Sequence, residues 1–442
     1  MSDSAKSRTK TRSRRRKFAA MLSTYALGTF NDSLFRVSAM LIAVAVGMKE
    51  IQGYVMSVFT LPYLLCAAYT GWLADKYRKR MVIVSAKVLE LLVMLAGGYG
   101  IVTGNWAVLY PMIFLMGLQS AIFSPSLNGT IPEQFPASYV TTAKAFITVA
   151  VTASILIGGG ISGVLLREKS LLWGRVEVGR LVVALALIAM SVVGIVTSLG
   201  IPGRRAADPK RRFPWRGPVQ TLIHLWEIRR DRLLTVAILA GTYAWFVGAL
   251  LMAIVNAFAD RAYYGDEGYA SAMLAAELIG LAGGGVVASR IVKGKRWHRP
   301  LAPAAGAMAV LMFAASATVL LPRTLQFPAL LVLLSATGFA GGVLLIPCEA
   351  FYQIRPDAAN KGTIIAAANS ATFLGVLLSG PIVGLLLSLL SPTQCFLVVG
   401  CLSVPVSVWL AWALPRAEAA EPAPEPPAPD VHPDPDLDAP EA

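Results

Sequence analysis

The chain has 442 residues, of which 56% are hydrophobic and only 14% are charged. Soluble globular proteins carry about 25% charged residues, so this composition excludes an ordinary soluble enzyme. Lysine and arginine outnumber aspartate and glutamate by 39 to 25, which gives a formal net charge of +14. In so apolar a chain, we interpret the basic excess as a sign of membrane sidedness rather than of nucleic-acid binding.

Twelve apolar runs of about 20 residues or more, the length that spans a bilayer core, follow one another along the chain. They occupy 18–47, 53–74, 81–102, 105–127, 140–166, 180–200, 233–259, 269–290, 301–321, 327–352, 362–390 and 394–414. The sequence therefore predicts an all-α membrane protein with twelve transmembrane helices. Its predicted parts are a basic arm (1–17), an N-terminal six-helix half (18–200), a basic linker (201–232), a C-terminal six-helix half (233–414) and a tail (415–442).

The basic residues are distributed unequally between the two sides of this arrangement. With both termini in the cytoplasm, 30 of the 39 lysines and arginines, Lys144 among them, fall on the cytoplasmic side and seven on the other. This asymmetry predicts a multi-pass protein with cytoplasmic termini. We expect the arm to rest on anionic lipid headgroups, and the Pro-rich acidic tail to be disordered.

The loop between the second and third predicted spans, Gly71 to Arg80, reads GWLADKYRKR. Gly71 allows close helix approach, Asp75 can cap a neighbouring helix or pair with a cation, and the basic cluster holds the loop at the membrane surface. The loop resembles the GxLADxxGRR signature of the major facilitator superfamily. This resemblance implies two pseudo-symmetric halves built from inverted repeats. It also implies a gating role for five residues, namely Gly71, Asp75, Arg78, Lys79 and Arg80.

Ionisable residues inside predicted spans are costly in lipid and are functional candidates by default. The candidates are Asp32 and Arg36, four residues apart on one helix, Lys87 and Glu90, three apart on another, and the single carboxylates Glu277 and Glu349. The spacing predicts that the members of each pair face each other. The alternative is that they are neutralised pairs that hold helices together, and Asp32 is the leading functional candidate.

A narrower resemblance begins at Thr29–Arg36, which reads TFNDSLFR and is similar to the FNDNLFK motif of bacterial lysophospholipid transporters. Four later elements are similar to further motifs of that family, in family order. They are Lys87–Glu90 (KxxE), Gly117–Pro125 (GLQSAxFGP), Trp245–Ala249 (WFLGA), and the set Pro347, Gln353, Gly362 and Asn369.

The resemblance implies a bacterial inner-membrane flippase without a cofactor or metal. It would move lysophosphatidylethanolamine or lysophosphatidylglycerol from the outer to the inner leaflet by alternating access, as a monomer, for reacylation by a separate acyltransferase. The candidate substrate and coupling residues become Asn31, Asp32, Arg36, Lys87, Glu90, Glu277 and Glu349.

Several positions depart from the pattern of that family. Leu127 stands where a lysine is expected, Ser33 replaces an amide and Glu349 replaces an asparagine. The usual ANAxxE motif reads AKAFIT over 143–148, which loses a carboxylate. We therefore predict a divergent member whose headgroup preference cannot be carried over from its relatives.

Two other functions remain open from the sequence. One is a proton-coupled exporter of drugs or small metabolites, with Asp32, Glu277 or Glu349 as the proton carrier. The other is a membrane scaffold or sensor that uses the arm and the tail.

Glycine clusters at 158–160, 283–285 and 338–342 favour small-residue helix packing, with rocking of the halves as the alternative. The four cysteines lie in apolar runs, which predicts buried thiols rather than disulfides or metal ligands.

Overall fold

A computed structural model describes residues 3–46, 51–172, 176–262, 267–292 and 297–419. Its helices are α1 (Asp3–Ala45), α2 (Ile51–Leu65), α3 (Ala67–Lys76), α4 (Lys79–Thr103), α5 (Trp106–Gln134), α6 (Ala137–Leu165), α7 (Val178–Leu199), α8 (Pro218–Ile228), α9 (Arg232–Ala262), α10 (Glu267–Ile291), α11 (Leu301–Ala317), α12 (Arg323–Ile354), α13 (Lys361–Leu389) and α14 (Pro392–Ala419). Two short antiparallel strands, β1 (Leu171–Leu172) and β2 (Val176–Glu177), precede α7. The first five residues of the tail predicted to be disordered, 415–419, are instead the end of α14, and its remaining residues lie outside the described part of the chain.

The predicted spans correspond to helices, with one of them broken. Within the described residues, ten helices are long and apolar enough to cross a membrane, and α2 with α3 forms an eleventh candidate bent by 55° at Cys66. The first predicted span, 18–47, overlaps α1, which begins at Asp3 within the predicted arm and is not among these candidates, and whose apolar run is interrupted by Asp32 and Arg36. Helix α1 packs against α6 and α7, which places it within the bundle.

The helices form two halves, α1–α7 and α9–α14, each with its own apolar core. Phe35, Met94 and Ile113 lie at the centre of the first core, and Met308 and Phe396 at the centre of the second. Large apolar side chains also cover the outer surface, and Cys401, predicted to be buried, is exposed there on α14. Because a soluble protein would bury such a surface, the exposed apolar belt faces lipid, and the protein is a multi-pass membrane protein.

Helices α10 and α12 cross at a contact made of glycines. A side-chain carbon on Gly284 would lie 2.7 Å from the carbonyl carbon of Phe339, and one on Gly342 would lie 2.7 Å from the amide of Gly285. Gly280 and Gly338 meet the partner backbone in the same way. These glycines therefore serve small-residue packing between two helices of one half.

The predicted linker is not wholly irregular, because α8 forms within it. Pro218 occupies the first turn of α8, and Gly217, with φ of +51°, supplies the turn that leads into it. Thr221 and Ile228 are buried against the bundle, whereas Leu222 and Trp226 are exposed. A search for apolar runs of about 20 residues does not detect α8, because this amphipathic helix is too short and only one of its faces is apolar.

The two halves touch near the linker, on what we call the linker side; the opposite end of the bundle is the distal side. Tyr63 of α2 stacks on Phe373 of α13, with ring centroids 3.8 Å apart. Asn369 of α13 donates a hydrogen bond of 3.0 Å to the Ser124 hydroxyl of α5. Asn369 and Phe373 lie about 12 and 18 Å along α13 from its start, so the halves touch from the linker side to the middle of the bundle.

Candidate functional site

Asp75, at the end of α3, joins the halves on the linker side. Its Oδ1 accepts a hydrogen bond of 2.7 Å from the backbone N–H of Gly362, and its Oδ2 accepts from the N–H and hydroxyl of Thr363 at 2.9 and 2.7 Å. Gly362 and Thr363 open α13, so a buried carboxylate lies at the positive end of that helix. This contact between a carboxylate and a neighbouring helix end is the geometry predicted for Asp75.

The linker contributes Arg211 to the same contact. Its Nη1 donates to Asp75 Oδ2 at 3.0 Å, to the Ala359 carbonyl at 2.6 Å and to Asn360 Oδ1 at 3.0 Å. One guanidinium therefore bridges the N-terminal half and the segment that precedes α13. We call Asp75, Arg211, Gly362 and Thr363 the latch.

The remaining residues of the predicted gating motif are placed differently from one another. A side-chain carbon on Gly71 would lie 2.6 Å from the Cα of Thr363, so Gly71 permits the close approach of the halves. Lys79 forms an ion pair of 2.5 Å with Glu133, within the N-terminal half. Arg80 donates to the Leu199 carbonyl at the end of α7, and Arg78 is exposed.

Asp32 lies midway along the membrane part of α1 and contacts α5. Its Oδ2 accepts a hydrogen bond of 2.7 Å from the Ser120 hydroxyl, while its buried Oδ1 has no hydrogen-bond partner among the described residues. The predicted pairing with Arg36 does not occur in this conformation. A buried carboxylate oxygen without a donor is costly in protein, so Asp32 is suited to receive a donor from a ligand.

Arg36 turns away from the Asp32 carboxylate towards α2. Its Nε donates a hydrogen bond of 3.3 Å to the backbone carbonyl of Asp32, and its guanidinium lies 4.3 Å from the centre of the Phe59 ring. The aromatic face partly compensates the cation. Because most guanidinium donors are thereby left without a carboxylate, Arg36 can bind an anionic group.

Glu90 is the centre of a buried polar network. Its carboxylate accepts hydrogen bonds from Lys87 at 2.6 Å, Gln119 at 3.0 Å and Asn31 at 3.1 Å, and Asn31 also donates to Ser191 at 2.8 Å. The side chains of Lys87 and Glu90 are 0% and 1% exposed. The spacing of three residues correctly predicts this pair, and its burial places it inside the N-terminal half rather than on a surface that a ligand reaches.

Lys144 and Glu349 form an ion pair of 2.8 Å between α6 and α12, which the sequence did not predict. Lys144 is counted above with the basic residues of the cytoplasmic side, but it is 4% exposed within α6. Glu349, expected to be a single carboxylate, has a partner from the other half of the protein. Two departures from the family pattern therefore meet each other across the interface.

Glu277 lies near the middle of α10 and differs from the other intramembrane acids. Within the part of the chain that the structure describes, its side chain makes no hydrogen bond or ion pair. Among the same residues, no group of three or more His, Cys, Asp or Glu side chains is arranged to hold a metal ion.

Two helical halves that meet around intramembrane charges, with one side closed by a polar latch, define a membrane transporter. A family model described as Major Facilitator Superfamily matches residues 20–348. The chain belongs to the major facilitator superfamily.

Curated relatives share most of the chain. The lysophospholipid transporter LplT of Cronobacter sakazakii is 29% identical over 332 residues, which are 72% of this chain and 75% of that protein. The protein of the same name from Citrobacter koseri is 26% identical over 329 residues, with the same coverage of both chains. The predicted resemblance to this family is confirmed.

Solved structures support the fold. The human organic anion transporter MFSD10 superposes with a TM-score of 0.72, at 13% identity, over 90% of this chain and 99% of that chain. A bacterial homologue of the iron transporter ferroportin, in its outward-facing state, gives a TM-score of 0.71 at 12% identity, over 91% and 99%. At such low identity, these likenesses establish the fold alone.

Proposed function

We propose that this protein transports lysophospholipids from the outer to the inner leaflet of the bacterial inner membrane, where a separate acyltransferase reacylates them. The observation that carries the substrate class is the similarity to lysophospholipid transporters over three quarters of their length. The distribution of basic residues supports a cytoplasmic linker side. The latched conformation is then the outward-facing one, with the site accessible to the outer leaflet.

The headgroup site that we propose lies at Arg36 and Asp32. The Arg36 guanidinium matches the geometry of a phosphate, which it can bind with two parallel hydrogen bonds. The free Oδ1 of Asp32 can accept a hydrogen bond from an ammonium or hydroxyl group of the same headgroup. Lys87 and Glu90 act indirectly in this proposal, because their network fixes Asn31 and hence the face of α1 that carries Asp32.

The acyl chain needs an apolar path while the headgroup crosses. Helices α6 and α10 of opposite halves pack together on the linker side, where Ala145 and Ala288 share one cluster with Ile346. Further towards the distal side, α6 exposes apolar side chains such as Ile157 and Val164. We propose that the chain trails into lipid beside this part of α6, so that its apolar surface never enters water.

Alternating access then requires the latch to break after the headgroup binds. Separation on the linker side removes three hydrogen bonds from the Asp75 carboxylate and exposes the start of α13. Binding of a headgroup that draws the distal ends of the halves together offsets this loss. The energetic role of the latch is to hold the outward-facing state until a substrate is bound.

The test is transport of labelled lysophosphatidylethanolamine in vesicles that contain the purified protein. We expect Arg36→Gln and Asp32→Asn each to lower the initial rate by about tenfold or more, because a hydrogen bond to a charged group contributes ~1.5–3 kcal/mol. Arg323→Gln, which removes an exposed arginine at the start of α12, is the matched control and retains the rate. Full transport by both site variants excludes this headgroup site, and no lysolipid transport by the folded native protein excludes the function.

A proton-coupled exporter is the second candidate, and Glu277 is the observation that favours it. A carboxylate near the middle of a membrane helix, without a partner among the described residues, is a common form of proton carrier. A pH gradient should then drive export of a small substrate without lysolipid, and Glu277→Gln should abolish that coupling. Lysolipid transport that is unchanged in Glu277→Gln and insensitive to a pH gradient excludes this candidate.

A further inference from the structure

Lys144 and Glu349 form an ion pair between the two halves, and each also has a hydrogen-bond partner within its own half of the protein. Lys144 Nζ donates to Asn128 Oδ1 of α5 at 3.3 Å, within the N-terminal half. Glu349 Oε1 accepts from Trp245 Nε1 of α9 at 3.4 Å, within the C-terminal half. When the halves separate on the linker side, each charged group therefore stays positioned while it loses its partner.

The two groups lie inside the interface but close to its linker-side end. Lys144 is seven residues from the start of α6, about 10 Å along the helix axis, and Glu349 is five residues from the end of α12, about 8 Å. Asp32 and Arg36 lie deeper in the membrane, towards the distal side. A headgroup that travels from the deeper site to the linker side passes between Lys144 and Glu349.

Separation of a buried ion pair leaves two uncompensated charges, which is unfavourable unless new partners replace the old ones. A phosphate can replace Glu349 as the partner of Lys144, with Asn128 as a further hydrogen-bonding group. An ammonium group can replace Lys144 as the partner of Glu349. Trp245, which is 37% exposed, presents an aromatic ring beside that carboxylate, and a ring with a carboxylate is a favourable environment for a cation.

We propose that Lys144 and Glu349 form an exit site that selects zwitterionic lysophospholipids, with the phosphate on Lys144 and the ammonium on Glu349. This inference rests on the proposed function and names the substrate class within it. An anionic headgroup without an ammonium can offer Glu349 a hydroxyl donor but no cation, so its passage to the linker side is slower. The charged pair therefore determines headgroup specificity.

The experiment compares lysophosphatidylethanolamine with lysophosphatidylglycerol of the same acyl chain, in vesicles that contain the full-length protein. We expect the native protein to transport the zwitterionic lipid at least about tenfold faster, because only its headgroup brings a cation to Glu349. Glu349→Gln leaves Lys144 as a single cation and should invert the preference. Replacement of both residues by glutamine should bring the two rates within about twofold of each other.

Two further variants separate specificity from folding. The exchange Lys144→Glu with Glu349→Lys keeps a charged pair and should retain the preference for the zwitterionic lipid. The pair Glu177→Gln with Arg180→Gln removes an ion pair at the start of α7, at the opposite end of the bundle from the linker side, and should leave the ratio unchanged. Equal transport of both lipids by the native protein, or an unchanged ratio in folded Glu349→Gln, overturns the exit site while the proposed function stands. Transport of neither lipid overturns both.

Discussion

The Asp75 carboxylate accepts a hydrogen bond of 2.7 Å from the backbone N–H of Gly362, and this bond joins the two halves of the protein. The first N–H groups of a helix have no partner within that helix, so an acid from another element can satisfy them. Here the acid also meets the favourable end of the helix dipole and the Arg211 guanidinium. Closure of the linker side thus depends on a few groups from three separate segments.

Removal of the latch carboxylate should open the linker side. In Asp75→Ala, the N–H groups of Gly362 and Thr363 lose their acceptor, which should shift the equilibrium between the two states by about tenfold or more. The measurement uses a single cysteine at position 366, which is buried under α3, in a protein whose four native cysteines are replaced. A membrane-impermeant thiol reagent supplied from the linker side should label this cysteine faster in Asp75→Ala.

The matched control for the latch is Asp357→Ala. Asp357 is exposed, lies beside the same helix end and makes no capping hydrogen bond with its side chain. Its replacement should leave labelling at position 366 unchanged. Equal labelling rates in Asp75→Ala and the parent protein would show that the latch does not hold this side closed.

Gly71 should be intolerant of any larger side chain while the linker side is closed. A leucine at this position meets the α13 backbone at Thr363, so we expect Gly71→Leu to hold the halves apart and to lower transport by about tenfold or more. Spin labels at the exposed positions 78 and 357 report the separation, which should increase. Gly384→Leu, on the same helix α13 that Gly71 approaches, is the control, because a side chain there meets open space. An unchanged distance in Gly71→Leu contradicts the prediction.

Local sequence patterns predicted the features that depend on nearby residues. An apolar run of membrane length identifies a helix such as α7, predicted at 180–200 and observed over Val178–Leu199. Spacing along one helix identifies the pair of Lys87 with Glu90. By contrast, the apolar run over 53–74 does not reveal the bend at Cys66, because the run is continuous through that position.

Contacts between segments that are far apart in the chain are not revealed by any such local sequence pattern. Lys144 and Glu349 are paired across the interface, but each is an isolated charge in the sequence. Arg211 is one of nine basic residues in the predicted linker, and nothing local distinguishes it from the others. Gln119 and Ser120 lie in the Gly117–Pro125 motif. Polar side chains within an apolar helix were a signal that could have identified them as partners of Glu90 and Asp32.

His224 should make the docking of α8 depend on pH. Partial burial lowers the pKa of His224 below its ordinary value of 6.5, and nearby Arg211 also lowers it, against an opposing effect of Glu227. The undocked helix therefore binds a proton more readily than the docked helix. The contribution of His224 to docking is complete above pH 6.5 and is lost as the pH falls below 6.5 through the lowered pKa.

Hydrogen exchange of the α8 amides measures this docking. After correction for the intrinsic pH dependence, exchange should be faster below pH 6.5 than above it. His224→Gln cannot be protonated in this range, keeps a polar side chain beside Gln220 and should remove the difference. The same pH dependence in His224→Gln would assign it to another group.

The ion pair of Lys87 with Glu90 should be structural, which its effect on unfolding can test. Lys87→Met leaves a buried carboxylate without its cation and should lower the free energy of unfolding by about 3–5 kcal/mol. The double variant Lys87→Met with Glu90→Gln removes the buried negative charge and keeps an amide for Asn31 and Gln119 to contact. It should therefore recover most of the lost free energy of unfolding. Lys169→Met breaks an ion pair whose lysine side chain is 59% exposed and should leave the unfolding temperature unchanged. If Lys87→Met unfolds at the parent temperature but loses lysolipid transport, Lys87 acts on the substrate and the structural assignment is wrong.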